Sequence, residues 1–510
     1  MKIPLDRQAK QPIYLQIRDR IHHLIHTGHL PPNSQLPSIR ALAQTTQVNK
    51  LTVIEAYSVL EADGLVHAKQ GAGYFINAPS STADLTADSA ADSTANAKSS
   101  HNAHPLPSAQ SLPPVRSTFN PTQQVILPTG GIQSFPDIYR ATIAAHNRPD
   151  VVDFGIGFPQ PLDVDDFQRV ARRAMKDSGI FFRPGDPKGD IELRRQISQL
   201  LMQQGLDLSP DNLIVTSGSM QALALLADHF ITADGYTIVE APTYHGFLSI
   251  LQQRDAPMIG IPMTPKGMNL TLLEQYLESH RPKLIYTIST LHNPTGITTG
   301  VGHRRKLLSL AQQYDCLIVE DNAYEPLSFE TTPPPIKAFD TTDQVIYVGT
   351  FSKTLMPGLR VGYIAITGEQ NTALTERKLL HDFHISNASQ AIVKEYLASG
   401  HYRRRLKRLH KTHRERRDHM LMLIARYFPP AVTWTVPEGG TFLWIQLPDT
   451  LSVAEVGAAA AAQKVLLGSG AAFFPSQQGY PAFRLNFSLP PQETERGIKI
   501  LGSILHRMSK

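Results

Sequence analysis

The sequence has almost no cysteine: Cys316 is the single one in 510 residues. One thiol cannot form an internal disulfide or build a cysteine-based metal site, and its scarcity fits a reducing compartment. Its place before the apolar run Leu317-Ile318-Val319 predicts core packing, and no metal site is assigned anywhere. Long apolar runs are also missing, which excludes a membrane-spanning helix, and the start MKIPLDRQAK lacks the apolar stretch of a secretory signal. A cytoplasmic protein without membrane association is expected. Nor is there a strong excess of one charge. With 49 Lys and Arg against 44 Asp and Glu, the net charge of +5 permits nucleic-acid binding without demanding it.

What is present is enough chain for more than one domain. The sharpest change in composition lies between about Ala78 and Pro114, where Ser, Ala, Thr, Asp and Pro crowd out large apolar residues. Such a stretch cannot bury enough apolar area to offset the entropy of ordering it, so it is read as a flexible linker. The reading is a unit over 10–77, a linker over 78–127 and a second unit over 128–510, with no internal repeat.

In the first unit Ile13, Ile17, Ile21, Leu24 and Ile25 recur at helical spacing and predict a helix ending near Gly28. LPSIRALAQTT predicts a second helix capped by Ser38, and NKLTVIEAYSVLEADG a third capped by Asn49, with Val53, Ala56, Tyr57 and Leu60 on its buried side. Two short helices about a tight turn at Gln47-Val48 suggest a helix-turn-helix, and LVHAKQGAGYFI reads as a hairpin wing. In order, PIYLQIRDRI, LPSIRALA, TVIEAYSVLEADGLV and GAGYF resemble the GntR-type winged helix-turn-helix. The resemblance implies a double-stranded DNA operator as partner. It places Arg40 beside the DNA, puts Asn49, Lys50 and Thr52 in the major groove, and gives Lys69, Gly71 and Gly73 to the wing. Where the family usually carries Ser-Arg this chain has Asn49-Lys50. Lysine keeps the charge but cannot make the bidentate guanine contact of arginine, which implies a different base preference.

In the second unit, β-rich runs at Asn212 to Thr216, Tyr236 to Glu240, Lys283 to Thr287, Cys316 to Glu320 and Val345 to Val348 alternate with helical patterns. That alternation predicts an α/β fold with a mainly parallel sheet and functional residues at the carboxyl ends of the strands. The ordered segments TSGSMQAL, EAPTYHG, HNPTG, LIVEDNAY and GTFSKTLMPGLRVGY resemble fold type I pyridoxal-phosphate-dependent aminotransferases. The resemblance implies pyridoxal 5'-phosphate as cofactor and Lys353 as its Schiff-base lysine. Ser219, the Met220 amide, Thr350, Ser352 and Arg360 would hold the phosphate, and Tyr244 would stack on the pyridine. Asn293 would bond the phenolic oxygen, Asp321 the ring nitrogen, and Tyr324 follows Asp321 in the same site.

Near the end FRLNFS resembles the segment whose arginine, here Arg484, grips the α-carboxylate of an amino acid, the competing reading being a surface ion pair. PEGGTFLWIQLP is similar to the small C-terminal domain of that family. RPGDPKGD departs from it, because Pro184 stands where a tyrosine reaching the partner subunit's phosphate is expected. The basic run HYRRRLKRLHKTHRERRDH is read as a solvated helix face rather than a second DNA contact. The chain as a whole resembles the MocR subfamily of GntR regulators, which implies a homodimeric transcription regulator sensing an amine or amino-acid effector. Alternatives are an active aminotransferase with a DNA-binding appendage, or a dimerisation scaffold that keeps only the fold.

Overall fold

The computed structural model describes residues 11–26, 30–32, 34–69, 73–77, 139–140, 143–144, 148–159, 164–176, 178–232, 235–476 and 479–509. The chain divides into two compact units, Met1–Pro105 and Leu106–Lys510. The linker assigned to 78–127 lies outside the described residues, as does the wing-tip residue Gly71.

The N-terminal unit contains α1 (Ile13–His26), α2 (Ile39–Thr46), α3 (Lys50–Ala62), β1 (Val66–Lys69) and β2 (Gly73–Ile76). Its local chemistry explains where the helices begin and end. Ser38 caps α2 by accepting the Ala41 N–H, and Asn49 caps α3 by accepting that of Leu51. Between them Gln47 adopts a left-handed conformation (φ 52°) and donates its N–H to Ala43, which closes α2 and turns the chain into α3. Val53, Ala56, Tyr57 and Leu60 are fully buried with Ile17, Ile21 and Leu42 beneath the hairpin residues Val66 and Ile76. The Tyr57 hydroxyl donates to the Pro37 carbonyl at 2.7 Å, satisfying the one polar atom of that core side chain. β1 and β2 pair antiparallel from Val66↔Ile76 to Lys69↔Gly73, and Leu36 N–H donates to Tyr74 to tie the entry of α2 to the wing. This is a winged helix-turn-helix.

The C-terminal unit is built on an eight-stranded sheet. After the short β3 (Val152–Asp153), its strands are β4 (Leu213–Thr216), β5 (Thr237–Ala241), β6 (Met258–Thr264), β7 (Gly267–Met268), β8 (Leu284–Thr287), β9 (Leu317–Asp321), β10 (Val345–Thr350) and β11 (Gly362–Ala365). Their order is β4-β11-β10-β9-β8-β5-β6-β7. The run β10-β9-β8-β5-β6 is parallel, and β11 lies antiparallel to both neighbours. Buried on both faces, these strands read as unbroken apolar runs rather than alternating ones. Cys316 is buried at the entry to β9, as its apolar context predicts. A four-stranded antiparallel sheet follows, β12 (Thr433–Trp434), β13 (Phe442–Gln446), β16 (Ala482–Asn486) and β15 (Gly468–Ser469), while β14 (Val465–Leu466) pairs with β3. Its core includes Val432, Leu443, Phe483, Leu501 and Leu505, with Met420 and Ile424 supplied by the long helix His401–Tyr427.

Candidate functional site

Successive parallel strands end on the same edge of the large sheet, and the sequence places a reactive or polar residue just past several of them. A cavity of about 680 Å³ opens there, lined among others by Ser219, Tyr244, Asn293, Asp321, Tyr324, Ser352, Lys353 and Arg360. Segments far apart in sequence therefore converge as the strand pattern predicts.

Lys353 follows β10. Its Nζ donates to the Gly157 carbonyl at 2.8 Å and lies 4.3 Å from the centre of the Phe158 ring and 5.3 Å from that of Tyr324. Burial lowers its amine to about 7, helped by the positive charge of Arg484, so the neutral nucleophilic form is accessible near neutral pH. Asp321 ends β9. Its Oδ2 accepts from the Tyr286 hydroxyl at 2.8 Å and the Ala323 N–H also favours the carboxylate, while Oδ1 is buried with no donor in hydrogen-bonding geometry among the described residues. Burial pushes this carboxyl up to about 6. A buried carboxylate oxygen lacking a donor is the complement of a protonated ring nitrogen.

The other end of the cavity is shaped for an anion. Ser217 precedes the helix Gly218–Phe230 and makes no side-chain cap, and Ser219 lies in the first turn of that helix. Arg360, itself left-handed at φ 52°, donates to Ser217 O at 3.0 Å and to Ser352 Oγ at 3.4 Å. The approach is close enough to require glycine. A Cβ on Gly218 would lie 2.4 Å from Arg360 Nη2, and one on Gly362 would lie 2.6 Å from the Gly218 carbonyl carbon. Thr350 is not brought into the cavity wall, since its hydroxyl is turned to Val361 O and Ser352 Oγ, placing it behind Ser352. Met220 contributes its thioether as well as its position, because Tyr244 donates its hydroxyl to the Met220 sulfur at 3.2 Å.

The loop carrying Asn293 is anchored from below. Glu240, fully buried, accepts from Thr287 Oγ1 at 2.7 Å and from Ile288 N–H at 3.0 Å, and the buried Arg304 donates to the carbonyls of Ser289 and Thr299. Asn293 Oδ1 accepts from Arg484 Nη1 and Gly155 O accepts from Nη2, both at 2.8 Å. Arg484 is thus buried and has no carboxylate partner among the described residues, which rules out the surface ion pair as its role. Its guanidinium packs 3.9 Å from the Phe442 ring centre, its Nε–H is buried without a partner among the described residues, and burial lowers it to about 10. A carboxylate would compensate this cation.

The reading of the basic run as a solvated face needs correction. Arg403, Arg404, Lys407 and Lys411 are exposed, but Arg405, His413 and Arg417 are buried. Arg405 donates to the carbonyls of Thr354 (2.8 Å) and Leu355 (3.1 Å), and Tyr402 to Thr354 Oγ1, so one turn of this helix grips the backbone next to Lys353. Sequence reasoning also missed Gly157, Phe158 and Tyr286. Only the unbroken small and aromatic run DFGIGF, at 153–158, hinted at the first two.

In the N-terminal unit Arg40, Asn49, Lys50, Lys69 and Gly73 are exposed and Thr52 is half-buried. Arg40 lies in the first turn of α2, Asn49 and Lys50 at the start of α3, and Lys69 opposite Gly73 on the wing. Among the described residues no carboxylate forms an ion pair with Arg40, Lys50 or Lys69.

Pyridoxal phosphate fits the C-terminal site on three observations: the orphaned Asp321 oxygen, the low-pKa Lys353 amine and the glycine-lined anion turn. Comparison with known proteins agrees. Residues 149–501 match aminotransferase class I and II, and residues 13–76 match the bacterial regulatory proteins of the gntR family. The HTH-type transcriptional regulator YisV of Bacillus subtilis is 28% identical over 510 residues, covering 99% of this chain and 97% of the relative. Aromatic-amino-acid aminotransferase 1 of Thermococcus litoralis is 35% identical over 372 residues, 71% of this chain and 89% of the relative. Among solved structures, the α-aminoadipate aminotransferase LysN of Thermus thermophilus, complexed with N-(5'-phosphopyridoxyl)-L-leucine, aligns at TM-score 0.68 and 28% identity, over 73% of this chain and 95% of that chain.

Proposed function

This chain belongs to the aminotransferase class I and II family and carries a gntR-family DNA-binding head, the arrangement of the MocR subfamily, and from that premise we propose that it is a transcription regulator whose operator binding responds to an amino acid. The observation that carries the reading is the coexistence, in one chain, of a winged helix with exposed cations and a cofactor site supplied with a buried Arg484 that has no carboxylate partner among the described residues. A pure scaffold has no need to keep a costly buried cation or an orphaned carboxylate oxygen.

Lys353, Asp321, Asn293, Tyr244, Ser219, Ser352 and Arg360 would hold pyridoxal 5'-phosphate, with Thr350, Met220 and Tyr324 in support. When bound, that group supplies an aldehyde that captures amines and a ring that withdraws electrons from them. Lys353, whose neutral form is accessible near pH 7, can then present a free electron pair and can accept or return a proton at Nζ. Arg484 would orient an incoming amino acid through its carboxylate, and the walls of the cavity would exclude bulk water. Because the ligand would bind one state of the protein better than another, it can shift the heads between DNA-competent and incompetent arrangements. A homodimer, pairing two heads on two half-sites, and a cytoplasmic location complete the proposal.

Turnover as an aminotransferase is the second reading, favoured by the joint presence of Lys353, Asp321 and Arg484. Pro184, exposed at the position of the expected tyrosine, weighs against it. The deciding experiment measures operator affinity of the cofactor-loaded protein by gel shift, and keto-acid formation in parallel, as an amino acid is added. The proposal expects a fivefold or greater change in DNA affinity that Lys353→Ala abolishes. Sustained keto-acid release with no change in DNA affinity would replace it with the enzymatic reading.

A further inference from the structure

We infer that the ligand of this site is an amino acid with a large, uncharged apolar side chain, aromatic or branched aliphatic. The inference rests on the reading that the cavity receives an amino acid, and goes beyond it in naming the class.

The cavity lining divides by chemistry. Ser219, Asn293, Asp321, Ser352 and Arg360 already have uses toward the cofactor, as argued above. Much of what remains is apolar, notably Ile156, Phe158, Phe167, Leu355 and Met356. Ile156 and Leu355 are buried, Phe158 packs against the Lys353 amine, and Phe167 is a half-buried residue of the helix Val164–Ala174. A ligand side chain directed at this wall leaves water for carbon, which favours apolar groups in proportion to their area.

Among the described residues a charged side chain finds no counterpart. A second carboxylate would need a cation, and the described cations at the cavity are engaged. Lys353 is the reactive amine, Arg360 is bound to Ser217 and Ser352 at the anion turn, and Arg405 is held by the carbonyls of Thr354 and Leu355. Arg484, reached through Asn293, would serve the α-carboxylate. A distal ammonium would need an anion, and Asp321, the one carboxylate in the lining among the described residues, accepts from Tyr286 and would serve the ring nitrogen of the cofactor. Burying an unpaired charge against Leu355 and Phe167 would cost far more than its attachment chain could return. Specificity here comes from penalty as much as from attraction.

The test titrates cofactor-loaded full-length protein with L-phenylalanine, L-leucine, L-alanine, L-glutamate and L-lysine, reading half-saturation from the absorption spectrum and from calorimetry. Phenylalanine and leucine are expected to half-saturate at concentrations at least tenfold lower than the other three. Phe167→Ala should narrow the phenylalanine-to-alanine ratio severalfold, a ratio that does not depend on how much of the variant is folded. Glutamate or lysine binding most tightly, or alanine matching phenylalanine, would overturn the side-chain class and leave the sensor reading standing. If none of the five alters the spectrum or releases heat, the class falls together with the reading it rests on.

Discussion

Asp321 shows how a single side chain can serve binding at the expense of folding. Burial pushes its carboxyl up from an ordinary 3.8 to about 6, the Tyr286 hydroxyl opposing that shift only partly. Between those two values the folded protein keeps a proton that the unfolded chain has lost. Stability contributed by that proton is present at pH 4 and is lost as pH rises through about 6, an effect on the order of 1–3 kcal/mol. Without cofactor, Asp321→Asn should therefore gain stability relative to wild type between pH 4 and pH 7, measured by denaturant unfolding, while its cofactor affinity falls at least tenfold. A stability difference independent of pH would mean that Asp321 is already compensated and is not waiting for a cationic ring nitrogen.

At the scale of elements, the anion turn depends on two pieces of backbone and the Arg360 side chain meeting closely. The positive φ of Gly218 (+72°) and the bare Cα of Gly362 let Arg360 and the turn before the helix Gly218–Phe230 come together. In Gly362→Ala the new methyl would meet backbone atoms of Gly218 and Ser219, which cannot swing aside as a side-chain end could. Cofactor titration of this variant should show at least a tenfold loss of affinity, with the melting temperature falling by less than that of a core truncation. Equal affinity would show that the turn is loose and the phosphate site lies elsewhere. Much of this was legible beforehand, because the cues were local: Ser38 and Asn49 announce helix starts, and apolar runs followed by Ser, Asn, Asp or Lys announce strand ends. In the large sheet three strands were not read, the two-residue β7 among them. β6 (Met258–Thr264) is broken up by Gly260 and Pro262, and β11 (Gly362–Ala365) hides behind the Lys353 segment. The inward turn of Arg405 was equally hidden, since its partners are the backbone carbonyls of Thr354 and Leu355, some 50 residues away. Helical periodicity reports that a residue faces the protein, but not that a charge there will be met by carbonyls.

For the whole molecule, each unit carries its own core and its own chemistry. The head has Ile17, Ile21, Val53, Tyr57 and Leu60 packed beneath the wing, and presents Arg40, Lys50 and Lys69 to solvent. The larger unit encloses Lys353, Asp321 and Arg484. Two such units in one chain make a regulator only if occupancy of one changes the affinity of the other, and that coupling is reciprocal by thermodynamic necessity. The most direct test is to measure the half-saturation of cofactor-loaded full-length protein by L-phenylalanine with and without saturating operator DNA. The account predicts a shift of fivefold or more, equal to the factor by which phenylalanine changes operator affinity. Identical half-saturation with and without DNA would contradict it, and would leave a DNA-binding head and an amino-acid site that share a chain without sharing a function.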